Sequence, residues 1–346
     1  MPDFPEVFVF DSRDDEDAAA AELAERLRSI EVHEPFVVTS AHGKALARHV
    51  EGVRAPSTPI SRTDQGWAGE IGKIAKEHGA DAIVAVGGGR CLDVAKLAAA
   101  RAGLAHIAVP TQLSHDGICS PVAVVPNEEG RSESLGAVAP RMVFLSVPTL
   151  LDAPPDTIAA GLGDLLANPL ALRDWALAAE RGLETIDQRA WDMSVESFEI
   201  VEKDLDTDPE VSLRDPGFFR RLADALILSG MSMIVSGTSR PASGGEHEIS
   251  HAIDGLFGGR ALHGAQVAFG CIFSVALYGE DTDAFRKRLR SLGLPEEPSH
   301  LGLSADDLVR VLLEAPETRP GRFTMLENAA LDEQDARELI AEIWPN

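Results

Sequence analysis

The sequence predicts an α/β domain followed by an all-helical domain, and three observations carry that prediction. Short β-rich runs alternate with amphipathic helical patterns through the first 147 residues, β-rich runs vanish after about Leu151, and the proline-rich stretch DAPPD (152–156) stands between the two regimes. The expected division is therefore 1–152 and 153–346. A chain of 346 residues, 45% hydrophobic and 25% charged, has ample material for two cores.

EVFVF (6–10), PFVVTS (35–40), DAIVAVGGG (81–89), AHIAVPT (105–111) and RMVFLSV (141–147) read as strands. Helical patterns near 15–29, 43–50, 66–78 and 91–102 lie between the first four, an alternation that implies parallel strands joined by crossover helices. SPVAVVPNEEGRSESLGAVA reads as a hairpin around Asn127–Gly130 that closes one edge of the sheet. Beyond Leu151, helical periodicity broken by Gly and Pro runs to the C-terminus.

The formal net charge of −25 argues against non-specific binding to nucleic acid or to an anionic membrane surface, both of which would repel the chain. The first residues lack a basic leader followed by an apolar stretch, and no apolar run approaches the roughly 20 residues of a membrane span, so the expected location is the cytoplasm. Cys91, Cys119 and Cys271 are too widely spaced for a disulfide framework or a cysteine zinc site, and are expected to be reduced.

Four segments carry side chains suited to chemistry. In AIVAVGGGRCLDVAK (82–96) an apolar strand runs into three glycines and then a helix, so main-chain N–H groups can approach a diphosphate. A tight turn is the competing reading, because the spacing is not that of the usual dinucleotide fingerprint, and Asp93 and Lys96 fit an ordinary surface pair equally well. VPTQLSHDGICSP (109–121) gathers polar side chains at the end of a strand, where open α/β sheets bind ligands, although polar loops are commonly just solvated. In AAGLGDLLANPLALRDW (159–175), Asp164 reads either as an acid at the start of an apolar helix or as an oxygen ligand. In SGTSRPASGGEHEISHAID (236–254), His247 and His251 project from one helical face, and His263 follows in ALHGAQ. Three histidines within 17 positions, with an upstream carboxylate, fit a catalytic metal with three protein ligands and an open position.

Taken in order, VGGGRCLDVAK, PTQLSHDGICSPVA, AAGLGDLLANPLALRDWALA, SRPASGGEHEISHAID and LHGAQ resemble the NAD(P)-dependent sn-glycerol-1-phosphate dehydrogenase family, part of the superfamily of iron-containing alcohol dehydrogenases, glycerol dehydrogenase and dehydroquinate synthase. The resemblance implies a Rossmann-like dinucleotide-binding domain followed by an all-α metal-binding domain, the dehydroquinate synthase-like fold. It implies that a metal, usually zinc with iron or manganese as alternatives, is held by Asp164, His247 and His263. Asp164, His251 and Asp116 match substrate residues, with His251 and Asp116 in the catalytic set, and Arg240 is the expected phosphate partner. Gly87, Gly88, Gly89, Arg90, Cys91, Asp93, Thr111, Ser114 and Ser120 match contacts to NAD or NADP. Where the family commonly has an acid after HG, this chain has Ala265, and its first 60 residues show no motif of the family. The implied activity is metal-dependent reduction of dihydroxyacetone phosphate or a related phosphorylated or phosphonate ketone, with a dehydroquinate synthase-like cyclase, a lyase using NAD+ transiently, as the alternative. A homodimer or larger homo-oligomer is expected.

Overall fold

A computed structural model describes residues 4–12, 15–55, 64–127, 129–130, 132–205 and 215–345. The chain divides into two compact units, Met1–Pro155 and Asp156–Asn346.

The first unit runs β1 (Glu6–Phe10), α1 (Glu16–Ser29), β2 (Pro35–Thr39), β3 (Val53–Arg54), α2 (Gln65–Glu77), β4 (Ala82–Gly87), α3 (Gly89–Ala102), β5 (Ala105–Pro110), β6 (Val122–Pro126), β7 (Ser132–Gly136), β8 (Met142–Ser146) and α4 (Val147–Leu151). Six strands form a parallel sheet in the order β1-β8-β5-β4-β2-β3. Every residue of β4 and β8 is buried, which is why these strands read as unbroken apolar runs: a parallel sheet covered on both faces leaves no polar side. Strand β1, at the sheet edge, is exposed at Glu6 and Val7. Helix ends follow local chemistry: Asp15 and Asp64 accept backbone N–H bonds at the starts of α1 and α2, and Gly103 ends α3 in the left-handed conformation at φ +64°.

Three expectations are corrected here. The segment 43–50 is not an α-helix but a 3₁₀ turn, His42–Lys44, followed by non-helical turns. Gly43 lies so close to the carbonyl of Val86 that a Cβ would sit 2.1 Å from its oxygen, and a segment this short cannot hold a helix against that packing. It is followed by β3, whose two residues are too few to leave an alternating pattern. The hairpin exists, but β6 and β7 form a separate antiparallel pair rather than closing an edge of the main sheet. It lies over α3 because Lys96, fully buried, donates from Nζ to the carbonyls of Val122 and Gly117, both at 2.7 Å, while Val124 N donates to Asp93 Oδ2 at 3.4 Å. Asp93 and Lys96 are thus a buried pair, not a surface one, and they tether the hairpin and the SHDG loop to one helix.

The described residues of the second unit contain no strand: α5 (Pro155–Leu165), α6 (Asn168–Glu180), α7 (Gln188–Leu205), α8 (Pro216–Ser236), α9 (Gly245–Phe257), α10 (His263–Leu277), α11 (Thr282–Ser291), α12 (Ala305–Glu314), α13 (Met325–Ala329) and α14 (Glu333–Ile343). Helix α10 is buried from Gly264 to Val275 without a polar face, the signature of a central helix. The buried Asn168 amide of α6 donates to Ser197 Oγ on α7 at 2.8 Å and to Ser229 Oγ on α8 at 3.1 Å, so one polar side chain joins three helices. None of the described helices is long and apolar enough to cross a membrane.

Replacing Lys96 by Ala leaves two buried carbonyls and Asp93 without their cation, and should lower the unfolding free energy by about 3 kcal/mol, read as an earlier urea midpoint. An unchanged midpoint would show that the tether carries no stability.

Candidate active site

Glycine spacing builds the second unit's polar centre. A Cβ on Gly163 would meet the carbonyl oxygen of Gly264 at 2.6 Å, so the absence of a side chain lets the end of α5 approach the first turn of α10. A Cβ on Gly270 would meet the carbonyl oxygen of Glu246 at 2.4 Å, which brings α9 equally close to α10. These two approaches bring together Asp164 from α5, His247 from α9 and His263 from α10. Oδ1 of Asp164 is 3.8 Å from Nε2 of both histidines, and one donor atom from each of the three residues lies within 4.8 Å of the others.

Asp164 is the next-to-last residue of α5, not the first of a helix. The capping reading is therefore overturned: a carboxylate at a helix C-terminus opposes the helix dipole, an opposition that a bound cation would offset. One hard oxygen and two imidazole nitrogens form a donor set suited to zinc, iron or manganese. Metal–ligand bonds of about 2.1 Å place neighbouring ligands about 3–3.5 Å apart, so a contraction of about half an ångström would close the two 3.8 Å gaps around an ion.

The histidine orientation is set by groups behind it. Glu246, wholly buried, accepts from Nδ1 of His247 at 3.0 Å and from the backbone N–H of Gly244 at 2.6 Å, which leaves Nε2 of His247 for the Asp164 side. Burial pushes the Glu246 carboxyl up to about 7. Asp174 on α6, pushed up to about 7 by burial and then by the charge of Glu246, accepts from Gly245 N and Met325 N at 2.8 Å and from the Tyr278 hydroxyl at 2.6 Å. Glu248 is pushed up to about 9 by burial and by Glu327, and accepts from Thr324 Oγ1 at 3.0 Å. His251, one turn along α9, is buried, and its Nε2 has no hydrogen-bond partner among the described residues. Burial, then the charge of Arg319, holds its pKa well below the ordinary histidine value. Ala265 packs into the buried face of α10 and adds no acid to this centre, whereas Gln266 accepts from Arg260 N at 2.5 Å and donates to Asp254 Oδ1 at 2.8 Å, bracing the turn before His263.

Arg240 does not offer a free guanidinium for a phosphate. Its Nε and Nη2 lie 2.7 and 2.6 Å from Glu184 Oε1, and Nη1 donates to the Phe323 carbonyl at 2.7 Å, so its charge is already neutralised within the fold. Sequence motifs did not reveal Glu246, Glu248 or Asp174 as buried supports, because carboxylates at helical spacing look like a solvated face.

In the first unit the loops after β4 and β5 emerge side by side, with Gly87 paired to Pro110 in the sheet register. Gly87, Gly88, Gly89, Arg90 and Cys91 form the strand-to-helix turn, with Gly88 capping α3, and Asp93 lies buried on the first turns of that helix. A Cβ on Gly89 would meet Nε2 of His115 at 2.2 Å, and Nδ1 of His115 accepts from Gly117 N at 3.0 Å, so the histidine of SHDG packs directly on the glycine turn. Thr111 N donates to the Gly87 carbonyl at 3.0 Å; Thr111, Ser114 and Ser120 are buried, and Asp116 opens a half-buried 3₁₀ turn beside them. The structure thus groups every expected dinucleotide residue around one pair of loops at the C-terminal end of parallel strands.

A family model described as iron-containing alcohol dehydrogenase matches residues 4–154, taking in the N-terminal 60 residues in which no motif was legible. Glycerol-1-phosphate dehydrogenase, NAD(P)+, from Cenarchaeum symbiosum (strain A) is 36% identical over 256 residues, covering 74% of this chain and 71% of the relative. The enzyme of the same name from Hyperthermus butylicus is 34% identical over 319 residues, 92% of this chain and 90% of the relative. Among solved structures, a probable glycerol dehydrogenase from Sinorhizobium meliloti 1021 superposes with a TM-score of 0.78 at 21% identity, covering 98% of this chain and 96% of that one, which establishes the shared fold.

His247→Ala should abolish stoichiometric metal in the purified protein, whereas His251→Ala should retain it, measured by elemental analysis; equal loss in both would refute the division of roles. Glu246→Gln should weaken metal affinity about 10- to 100-fold by releasing the His247 ring, measured by competition with a chelator.

Proposed function

We propose that this chain, which belongs to the glycerol-1-phosphate dehydrogenase family within the iron-containing alcohol dehydrogenases, reduces dihydroxyacetone phosphate to sn-glycerol 1-phosphate with NADH or NADPH. The observation that carries this reading is the convergence of Asp164, His247 and His263 from three helices, with a buried carboxylate behind one of the histidines. The relatives just described are named as dehydrogenases, which favours a redox enzyme over the cyclase reading.

When bound, the divalent ion would polarise a carbonyl and stabilise negative charge on its oxygen, and the nicotinamide would supply hydride. Asp164, His247 and His263 would hold the ion, leaving at least one coordination position for substrate. His251 carries an unused ring nitrogen and would orient a substrate hydroxyl by hydrogen bond. Asp116 would hold a second hydroxyl. Gly87 to Gly89, at the N-terminus of α3, would receive the dinucleotide phosphates on main-chain N–H groups, with Arg90, Cys91, Asp93, Thr111, Ser114 and Ser120 lining the same loops. Its cysteines are free thiols, which suits the reducing cytoplasm proposed as its compartment.

In a cofactor-oxidation screen with zinc, iron or manganese present, dihydroxyacetone phosphate should consume NADH or NADPH one for one. Turnover without net consumption would indicate a cyclase, and oxidation supported only by a different carbonyl compound would overturn the substrate.

A further inference from the structure

Two arginines that no sequence motif pointed to stand against the loop that leads into α9. Arg319 and Arg322 bracket the turn between α12 and α13, and both reach the serines of SRPASGG. Nη1 of Arg319 donates to Ser243 Oγ at 2.6 Å and, at 3.4 Å, to Ser239 Oγ; Nη1 of Arg322 donates to that same Ser239 Oγ at 2.9 Å, and its Nη2 to the Ser243 carbonyl at 2.5 Å. One hydroxyl oxygen thus serves both guanidinium groups, which holds two like charges within a few ångströms of each other.

Neither arginine makes an ion pair with a carboxylate among the described residues, in contrast to Arg240 and its Glu184 partner. Nε of Arg319 and of Arg322 is buried without a hydrogen-bond partner, and Nη2 of Arg319 makes no hydrogen bond among the described residues. The serine contacts are neutral and fix geometry without cancelling charge. Glu246 and Glu248 act on both guanidinium groups without reaching ion-pair distance, and the N–H groups left over on this half-buried pair suit an oxyanion, which relieves the mutual repulsion of the cations and accepts from several N–H groups at once. Arg322 itself is pushed down to about 9 by burial and by the charges of Arg319 and Arg240, against the opposing effect of the buried Glu248 and Glu246 carboxyls behind the pair. The pair is also well placed along the chain: Ser243 precedes Gly244, the N-cap residue of α9, the helix that bears His247 and His251.

We infer that Arg319 and Arg322, registered on Ser239 and Ser243, form the subsite for the phosphate of the substrate, and that this pair rather than Arg240 sets the preference for a phosphorylated ketone over an unphosphorylated one. The inference rests on the proposed reduction of dihydroxyacetone phosphate for its substrate, but the anion site can be measured without turnover.

The test uses the metal-loaded enzyme and the variants Arg319→Met, Arg322→Met and Arg319→Lys, with metal content and circular dichroism confirming that each is folded and loaded. The ratio of kcat/KM for dihydroxyacetone phosphate to that for dihydroxyacetone should fall at least 100-fold in each Met variant, chiefly through KM, and recover in part in Arg319→Lys. Separately, inorganic phosphate should raise the melting temperature of the wild type and not that of the Met variants. If the wild type does not reduce dihydroxyacetone phosphate yet phosphate stabilises it in an Arg319-dependent way, the anion site stands and the substrate assignment fails. If the wild type reduces dihydroxyacetone phosphate and folded, metal-loaded Met variants keep the wild-type ratio and phosphate response, the inference is overturned.

Discussion

Asp174 is the constraint on which the helical unit's chemistry depends. Its two carboxylate oxygens take the backbone N–H of Gly245, which starts the histidine helix, the N–H of Met325, which starts α13, and the hydroxyl of Tyr278 at the end of α10. A single buried side chain thereby fixes where two helices begin. The first bears His247 and His251; the second follows directly on the turn that bears Arg319 and Arg322. Gly244 leaves no room for a side chain, since a Cβ would lie 2.4 Å from Asp174 Oδ2 and 3.1 Å from Ala171 Cα, while at Gly245 a Cβ would press on the flexible Met325 side chain, 2.3 Å from Sδ. The glycines of SRPASGG thus let the main chain come close to the Asp174 carboxylate.

Burial pushes three carboxyls, Asp174, Glu246 and Glu248, upward together; both oxygens of Asp174 have donors, whereas Glu246 Oε2 and Glu248 Oε1 have none among the described residues. Asp174 takes two backbone N–H groups and a hydroxyl, Glu248 takes the Thr324 hydroxyl, and Glu246 shares one oxygen between Gly244 N and the His247 ring. Oε1 of Glu246 is committed to Gly244 N and to Nδ1 of His247, which places this acid behind the imidazole, on the side away from Asp164. The acid that the family places after HG is replaced by Ala265, which packs against apolar neighbours, so the Glu246 contact is the carboxylate support that remains visible at this histidine pair.

The sheet was legible because parallel strands buried on both faces must be apolar along their whole length, and β4, β5 and β8 announce themselves in that way. The same logic failed at 43–50, where one close contact of Gly43 with Val86 outweighs an amphipathic pattern too short to sustain a helix. Asp164, His247 and His263, which the fold brings together, were legible partly because histidine is rare in this chain, and the choice of His263 over His251 as the third proposed donor came from the family resemblance. Lys96 and Asp93 were opaque, since a lysine three residues from an aspartate on a helix looks identical whether it is solvated or fully buried. Arg319 and Arg322 were opaque for a different reason: they come from a turn 76 to 83 residues beyond the serines they hold, and only folding brings the two segments together. Arg240, conspicuous inside the motif, was the more visible arginine and turned out to be bound up with Glu184.

The placement of Asp164 at the negative end of α5 ties occupancy to durability. Without a cation, the carboxylate and the helix dipole oppose each other beside two imidazoles; with one, that opposition becomes attraction, and the ion binds the folded chain far better than the unfolded one. The free energy of folding then rises with the logarithm of free metal concentration. If the three donors hold an ion as proposed, the lifetime of this protein would depend on the metal supply, and scarcity would remove it through unfolding as well as through loss of its chemistry.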